Sequence, residues 1–327
     1  MKKVLVSGAT GFVGSHLVDH ILSRGVQVRC LVKKELGLGW IDETKCEVVY
    51  GGLEDYEALI SAVSGVDTVF HLAALTKAST VEGCYKVNVM GTVNILKAIL
   101  QYNPKIKKFV FVSSQAASGP SQNNEPVNEM DPCRPVNPYG SSKLAAEEVV
   151  LAFGSQIPVT IIRPPVVYGP RDVDVFEYYR AIKKGIRPIL GSRDRMGSFV
   201  YVEDLVEGLI LAAKKKEAAG QKYFLVNESV ISWRVLDEEI AKAMGRKTIT
   251  LHFTLPIIST VVFIMEIVSK IKGKSSVFNR YKIHELKDRF WICDGSKAIQ
   301  ELGFKPKTSL QEGVQKTLDW YIKEGWL

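Results

Sequence analysis

Cysteine is sparse in this 327-residue sequence. Cys30, Cys46, Cys84, Cys133 and Cys293 are scattered, odd in number and never spaced C-x-x-C. A disulfide framework and a cysteine-rich zinc site are both excluded, and the thiols read as reduced in a cytoplasmic protein. Proline (13) and glycine (26) are too few for a collagenous or low-complexity chain. Long apolar runs are scarce too. The opening run Val4-Leu5-Val6 stops at Ser7-Gly8, too soon for a cleavable export signal. His16 and His20 have the spacing of a zinc pair, but no third ligand follows, so no metal site is expected.

With 46% hydrophobic and 24% charged residues, the composition is that of an ordinary globular protein, long enough to bury a core without staples. The net charge is +8, yet the basic residues are spread out, with short runs at Lys33-Lys34, Lys107-Lys108 and Lys214-Lys215-Lys216. A solvated surface accounts for them, and no nucleic-acid partner is expected.

Short β-branched runs alternate with longer amphipathic ones through the first two-thirds of the chain. Strands are expected at Val4-Leu5-Val6, 26–32, 47–50, 67–72, 108–112 and 159–163, with helices from Phe12, over 80–102 and over 139–152. Strands this apolar, alternating with helices, predict an α/β fold, a Rossmann-type doubly wound parallel sheet covered on both faces. Past Gly169 the alternation loosens, although Tyr223 to Val226 reads as one more strand returning to the sheet. The expected division is a dinucleotide-binding domain over 1–168, rejoined by 198–227, and a smaller substrate lobe from 169–197 and 228–327. A capping box, Ser309-x-x-Glu312, opens the last helix.

The segment 251–274 is unusual. From Leu255 to Ile271 it is nearly all apolar, broken by Glu266 and marginal in length for a bilayer span. Three readings stand: a helix packed on the substrate lobe, a lid over an apolar substrate, or an interfacial helix making peripheral membrane contact, with Lys270, Lys272 and Lys274 at its basic end.

Gly8-Ala9-Thr10-Gly11-Phe12-Val13-Gly14 joins the first strand to the first helix. Glycines there permit a tight turn, close approach of the backbone to a pyrophosphate, and close helix–strand contact, while the helix N-terminus offers unpaired N–H groups. At the end of the second strand an NAD enzyme usually places a carboxylate against the ribose. Here Lys33 and Lys34 follow instead, with Glu35 beyond them. Lysine pairs with a 2′-phosphate that a carboxylate would repel, so NADP is expected, with NAD as the second choice.

Tyr139-Gly140-Ser141-Ser142-Lys143 sets a phenol and an ammonium on one helical face. A cation about 4 Å away, at an effective dielectric near ~20, is worth about 4 kcal/mol, or about three pKa units, enough to bring a phenol near working pH. The same spacing recurs at Tyr179 and Lys183, read as a surface pair. What distinguishes Tyr139 is its place behind Asn137-Pro138, downstream of a buried strand ending in Ser113-Ser114.

GATGFVG at 8–14, HLAA at 71–74, NVMGT at 88–92, FVFVSSQAA at 109–117, YGSSK at 139–143, RPPVVYGP at 163–170 and FVYVEDL at 199–205 occur in that order. On these motifs the sequence resembles an extended short-chain dehydrogenase/reductase of the NAD(P)-dependent epimerase/dehydratase superfamily, over nearly its whole length. The resemblance implies Ser114, Tyr139 and Lys143 as the catalytic set: Tyr139 as proton donor or acceptor, Lys143 as its modulator and ribose anchor, Ser114 as hydrogen-bond partner of the substrate oxygen. It further implies that Gly8, Gly11, Phe12, Val13 and Gly14 hold the pyrophosphate and that Leu53 lies by the adenine. Leu72, Ala73 and Ala74 would line the dinucleotide, with Asn88 nearby and Pro165 against the nicotinamide. Gly52 stands where the family usually has an aspartate.

Three reactions compete within the family. Dehydratases have Asp-Glu after the catalytic Ser/Thr, where this chain has Gln115-Ala116. Nucleotide-sugar epimerases often have Arg-Asp before the Phe of FVYVEDL, where Gly197-Ser198 stands, with Arg193 and Arg195 a little upstream. The basic end of strand two and the FVYVEDL context resemble the 3β-hydroxysteroid dehydrogenase and dihydroflavonol reductase branch. Hydride transfer between NADP(H) and a secondary alcohol or ketone on a sterol- or terpenoid-like small molecule is therefore the expected activity; an NAD-dependent nucleotide-sugar epimerase is the alternative. Homodimers are common in the family.

Overall fold

In chain order, Lys3–Ser7 (β1), Phe12–Leu22 (α1), Gln27–Val32 (β2), Glu47–Tyr50 (β3), Tyr56–Val63 (α2) and Thr68–His71 (β4) come first. Val81–Tyr85 (α3) runs through one wider π-helical turn, Lys86–Met90, into Gly91–Tyr102 (α4). Lys108–Val112 (β5), Gln115–Ser118 (α5), Pro138–Ala152 (α6) and Val159–Arg163 (β6) follow. Next are Val166–Tyr168 (β7), Phe176–Lys183 (α7), Ile186–Leu190 (β8), Met196–Gly197 (β9), Phe199–Tyr201 (β10), Val202–Lys214 (α8) and Lys222–Phe224 (β11). Ile231–Ser232 (β12), Trp233–Ala243 (α9), Ile249–Phe253 (β13), Leu255–Ile271 (α10) and Phe290–Trp291 (β14) lead to the closing helix Leu310–Lys323. The computed structural model describes residues 1–76, 80–122, 124–191, 195–227, 230–271 and 285–327, and of 264–271 the backbone. Arg193, Lys272 and Lys274 lie outside the described residues, as does the side chain of Lys270.

Seven strands form one sheet in the order β11-β6-β5-β4-β1-β2-β3, every pair parallel. Alternation along β1 shows how both faces are covered. Val4 and Val6 pack with Leu17 and Val18 of α1 and Leu205 and Leu209 of α8. Leu5 points the other way, into a core with Leu59, Ile95, Ile99 and Val150. The strand order reverses between β1 and β4, where the carboxyl ends of the two strands diverge. That is the crevice in which ligands of open α/β sheets bind.

A third core holds the later elements: Tyr168, Phe199, Tyr201, Leu236, Ile240, Leu318 and Tyr321. Three small sheets accompany it: β7 with β10, β9 between β12 and β14, and β8 with β13. Tyr179 belongs to this core and not to the surface. It is fully buried on α7, and its hydroxyl donates to the Val314 carbonyl at 3.1 Å, while Lys183 faces solvent. The expected surface pair is thus absent, because the apolar face of α7 and not charge pairing fixes Tyr179. The closing helix is capped as expected, Ser309 Oγ accepting from Glu312 N–H at 3.2 Å.

Candidate active site

The glycine loop is built by collision. Gly8 has φ +75°, and a Cβ there would lie 2.6 Å from Ala73 N. A Cβ on Gly14 would strike the Gly8 carbonyl. Gly11 caps α1 without a side chain, and a Cβ there would meet only the Gly8 oxygen, at 3.3 Å, leaving space before the opening residues Phe12 and Val13. The cradle therefore fits a pyrophosphate held by backbone N–H groups and the helix dipole. Leu72, Ala73 and Ala74, half-buried, form the facing wall, with Leu72 N–H donating to the Ser7 carbonyl at 3.0 Å.

Behind that wall runs a chain of hydrogen bonds. Ser7 Oγ lies 2.6 Å from His71 Nδ1, and His71 Nε2 lies 3.0 Å from Thr92 Oγ1, which donates to the Asn88 carbonyl at 2.7 Å. Since Thr92 spends its proton on Asn88, His71 carries its own on Nε2 and accepts from Ser7. Burial, with a smaller push from Lys143, lowers the His71 pKa to about 3, so it is neutral and structural. Asn88 is buried, its amide oxygen accepting from Leu75 N–H at 2.7 Å and its amide nitrogen donating to the Leu75 carbonyl and to Ser142 Oγ. It ties the end of the β4 loop to α6. Its amide atoms are engaged there, so it supports the cleft wall.

At the far end, Lys33 follows β2 and Lys34 is exposed beside it. Lys33 Nζ pairs with Glu54 Oε1 at 2.7 Å, and this hydrogen bond holds the Glu54 carboxyl below its usual range. A Cβ on Gly52 would collide with the same carboxylate. Glu54 thus occupies the space that a side chain at 52 would take, a feature the sequence reading missed. Leu53 is buried, its side chain against Gly91 at the start of α4.

The third group of residues meets at the carboxyl ends of β5 and β6. Asn137 Oδ1 accepts from Gly140 N–H at 2.7 Å and so caps α6, with Pro138 and Tyr139 opening it. Ser114 caps α5, its Oγ accepting from Ala116 N–H at 3.1 Å, and its hydroxyl stands near enough to the Tyr139 phenol to draw down its pKa. Pro165, half-buried, follows β6, next to Pro164, whose carbonyl accepts from Gln115 N–H at 2.9 Å. Lys143, one turn along α6, is buried. Its Nζ donates to the Val112 carbonyl at 2.7 Å and sits 4.1 Å from the centre of the Phe111 ring.

The expected depression of the phenol by the lysine is not found. Burial pushes Tyr139 up to about 12, opposed by the Ser114 hydroxyl and reinforced by the carboxylate of Glu285. Burial also lowers Lys143 to about 7, against the raising influence of Glu147. The ammonium is directed at Val112 and Phe111, so its charge is spent there. Sequence reading missed two further groups. Glu147, one turn beyond Lys143, is fully buried against Arg163 at 2.6 Å and Ser113 at 2.5 Å; the Tyr139, Lys143, Glu147 stripe at fours is the signal that could have found it. Glu285 accepts from Asn137 Nδ2 at 2.6 Å, and no local pattern announces it. The histidines of the apparent zinc pair diverge, His16 Nε2 donating to the Pro170 carbonyl at 2.8 Å and His20 pairing with Glu207 at 3.0 Å.

A family model described as the NAD dependent epimerase/dehydratase family matches residues 4–226. The chain belongs to that family. It is an NAD(P)-dependent enzyme of the extended short-chain dehydrogenase/reductase type. A ceramide reductase of Caulobacter vibrioides is 30% identical over 99% of this chain and 96% of its own. The N-acetyl-alpha-D-glucosaminyl-diphospho-ditrans,octacis-undecaprenol 4-epimerase of Escherichia coli O157:H7 is 29% identical over 97% and 94% of the two chains. Among solved structures, MoeE5 in complex with UDP-glucuronic acid and NAD superposes with a TM-score of 0.80 at 25% identity, covering 98% of this chain and 99% of that one. Oxidoreductases and epimerases thus both stand among this family member's relatives.

Proposed function

We propose that the protein transfers hydride between NAD(P)(H) and a secondary alcohol or ketone on a largely apolar molecule. Gly8, Gly11 and Gly14 with the first N–H groups of α1 would hold the pyrophosphate, and Lys143 the nicotinamide ribose. When bound, the nicotinamide supplies or accepts the hydride. Ser114 orients the substrate oxygen, and Tyr139 gives it a proton in reduction or removes one in oxidation. A phenol near 12 keeps its proton at neutral pH, which suits donation in the direction of ketone reduction. Lys33 and Lys34 at the end of β2 support NADP as the cofactor, Lys34 with an exposed side chain and Lys33 with part of its charge offset by Glu54.

The observation that carries the substrate class is at Gly197. A Cβ there would lie 3.1 Å from the Phe199 ring and 3.3 Å from Trp233 Nε1. Ser198 is buried, its Oγ accepting from Cys293 N–H at 3.0 Å. Phe199 and Trp233, in edge contact at 5.1 Å, fill the space that the Arg-Asp pair of a nucleotide-sugar epimerase would need. The ceramide reductase relative supports the same apolar reading. Epimerisation of a nucleotide sugar is the second reading, favoured by Arg195, whose guanidinium lies 5.2 Å from the centre of the Trp233 ring.

The test is the cofactor that leaves with the denatured protein. An epimerase keeps its oxidised cofactor through the cycle and carries NAD at close to one per chain. A dehydrogenase exchanges cofactor at each turnover, so the expected outcome is protein that is largely empty, or holds NADP, and reduces apolar ketones with NADPH. Stoichiometric NAD without ketone reduction overturns the reading in favour of epimerisation.

A further inference from the structure

β13 and the first half of α10 form an open apolar face. Ile249, Leu251 and Phe253 share one side of the strand by its two-residue repeat, and Ile249 is 72% exposed and Leu251 40%. On α10, Val262 turns inward, while Ile257, Val261 and Phe263 are half or more exposed, Phe263 at 63%. Aliphatic and aromatic side chains gathered on one segment are unlike the single exposed apolar residues that any surface carries.

Cations stand beside this face. Ile249 N–H donates to the Gly185 carbonyl at 2.8 Å as β13 runs parallel to β8. This brings Lys183 and Lys184, at the end of α7, next to Arg246 and Lys247. All four are exposed, and among the described residues none has a carboxylate within ion-pair distance. The same segment reaches the catalytic opening from its other end. Gly191 N–H donates to the Phe253 carbonyl at 2.8 Å, and Gly191 lies by the carbonyl of Leu286. The neighbouring Glu285 accepts from Asn137, the cap of the helix that Tyr139 opens. Among the described residues no helix is long and apolar enough to cross a membrane.

We propose that β13 and the start of α10 are a docking surface for an anionic phospholipid bilayer. Ile249, Leu251, Ile257, Val261 and Phe263 enter the boundary between headgroups and acyl chains, α10 lies in the plane of the interface, and the four cations meet lipid phosphates. Docking sets the catalytic opening against the bilayer, where a molecule too apolar for water resides. This last step rests on the apolar-substrate reading; docking does not.

The experiment is sedimentation of the full chain with sucrose-loaded phosphatidylcholine vesicles, with and without phosphatidylglycerol. Binding is expected to the anionic vesicles and to weaken with salt. The double variant Val261→Ser, Phe263→Ser should lower vesicle partition about tenfold or more while a water-soluble ketone is turned over as before. Lys183→Glu with Lys184→Glu should remove the preference for phosphatidylglycerol. Equal partition of the wild type and the serine variant would overturn the proposal, as would no vesicle binding by either. So would a dimer, seen by analytical ultracentrifugation, that the serine substitutions dissociate, for then a second copy covers the face. Docking without turnover of ketones embedded in the vesicle would leave the surface standing and sink the substrate reading.

Discussion

At the scale of single residues, the spacing of four visible in the sequence sets Tyr139 and Lys143 on one stretch of α6, and Ser114, at the strand end upstream of them, acts on the Tyr139 phenol. The direction of each pKa comes from burial, with the charge of Glu285 adding to it at Tyr139, while Phe111 and Val112 surround the Lys143 ammonium; all three are distant from α6 along the chain. Replacing Tyr139 by Phe should cut turnover about a thousandfold, the range of a positioned proton donor, with NADPH affinity within about twofold by fluorescence titration. Retained turnover would remove Tyr139 from the chemistry. Glu54 offers a second residue-scale test. Its carboxylate offsets Lys33, so Glu54→Gln should raise the NADPH-over-NADH affinity ratio and Lys33→Ala should lower it. Each shift should be about threefold to tenfold, as befits partly exposed charges. Unchanged ratios in both variants would take the NADP preference away from this corner.

Elements were readable wherever a short apolar run met a glycine or a cap. The runs at 108–112 and 159–163 are strands with those bounds, and Asn137 and Ser309 cap the helices they precede. The π-helical turn at Lys86–Met90 was not readable, because periodicity cannot separate it from the α-helix on either side. Nor was the face of α7, since Tyr179 and Lys183 repeat the spacing of Tyr139 and Lys143 in a helix that buries one and exposes the other. The β1–α1 junction gives the sharpest prediction at this scale. A methyl group at Gly14 has nowhere to go, since the Gly8 carbonyl is backbone and cannot swing aside. Gly14→Ala should destabilise the fold by about 1–3 kcal/mol in urea titration. It should also weaken binding of both NADH and NADPH, because the loop must open from α1. Gly25, with φ +71° and nothing near its absent side chain, is the control: alanine there should leave nucleotide affinity unchanged.

For the whole molecule, two neutral histidines join parts that the sequence shows only as separate motifs. His71 links β1, β4 and the helix carrying Thr92, while His16 reaches from α1 to the Pro170 carbonyl just past β7. Next to it Arg171 pairs with Asp19 at 2.8 Å and stands 5.0 Å from the Trp40 ring, which meets Trp320 of the closing helix. Burial lowers His16 to about 4 and His71 to about 3, from 6.5 in the unfolded chain. Between those values the unfolded chain binds protons that the folded one refuses, so stability complete above pH 6.5 is lost as the pH falls through this window. The carboxyls held low by partners, Glu47, Glu54 and Glu207, act in the same sense, but only from their ordinary 4.5 downwards. Glu129, raised by burial, opposes them. The fall should therefore begin well before ordinary carboxylates titrate. Urea midpoints should decline steadily from pH 7 to 5, and His16→Gln, which keeps a donor for Pro170, should flatten that slope. Midpoints that stay level over this range would mean that neither imidazole is held neutral and that the hydrogen-bond chain behind the cofactor cradle runs differently.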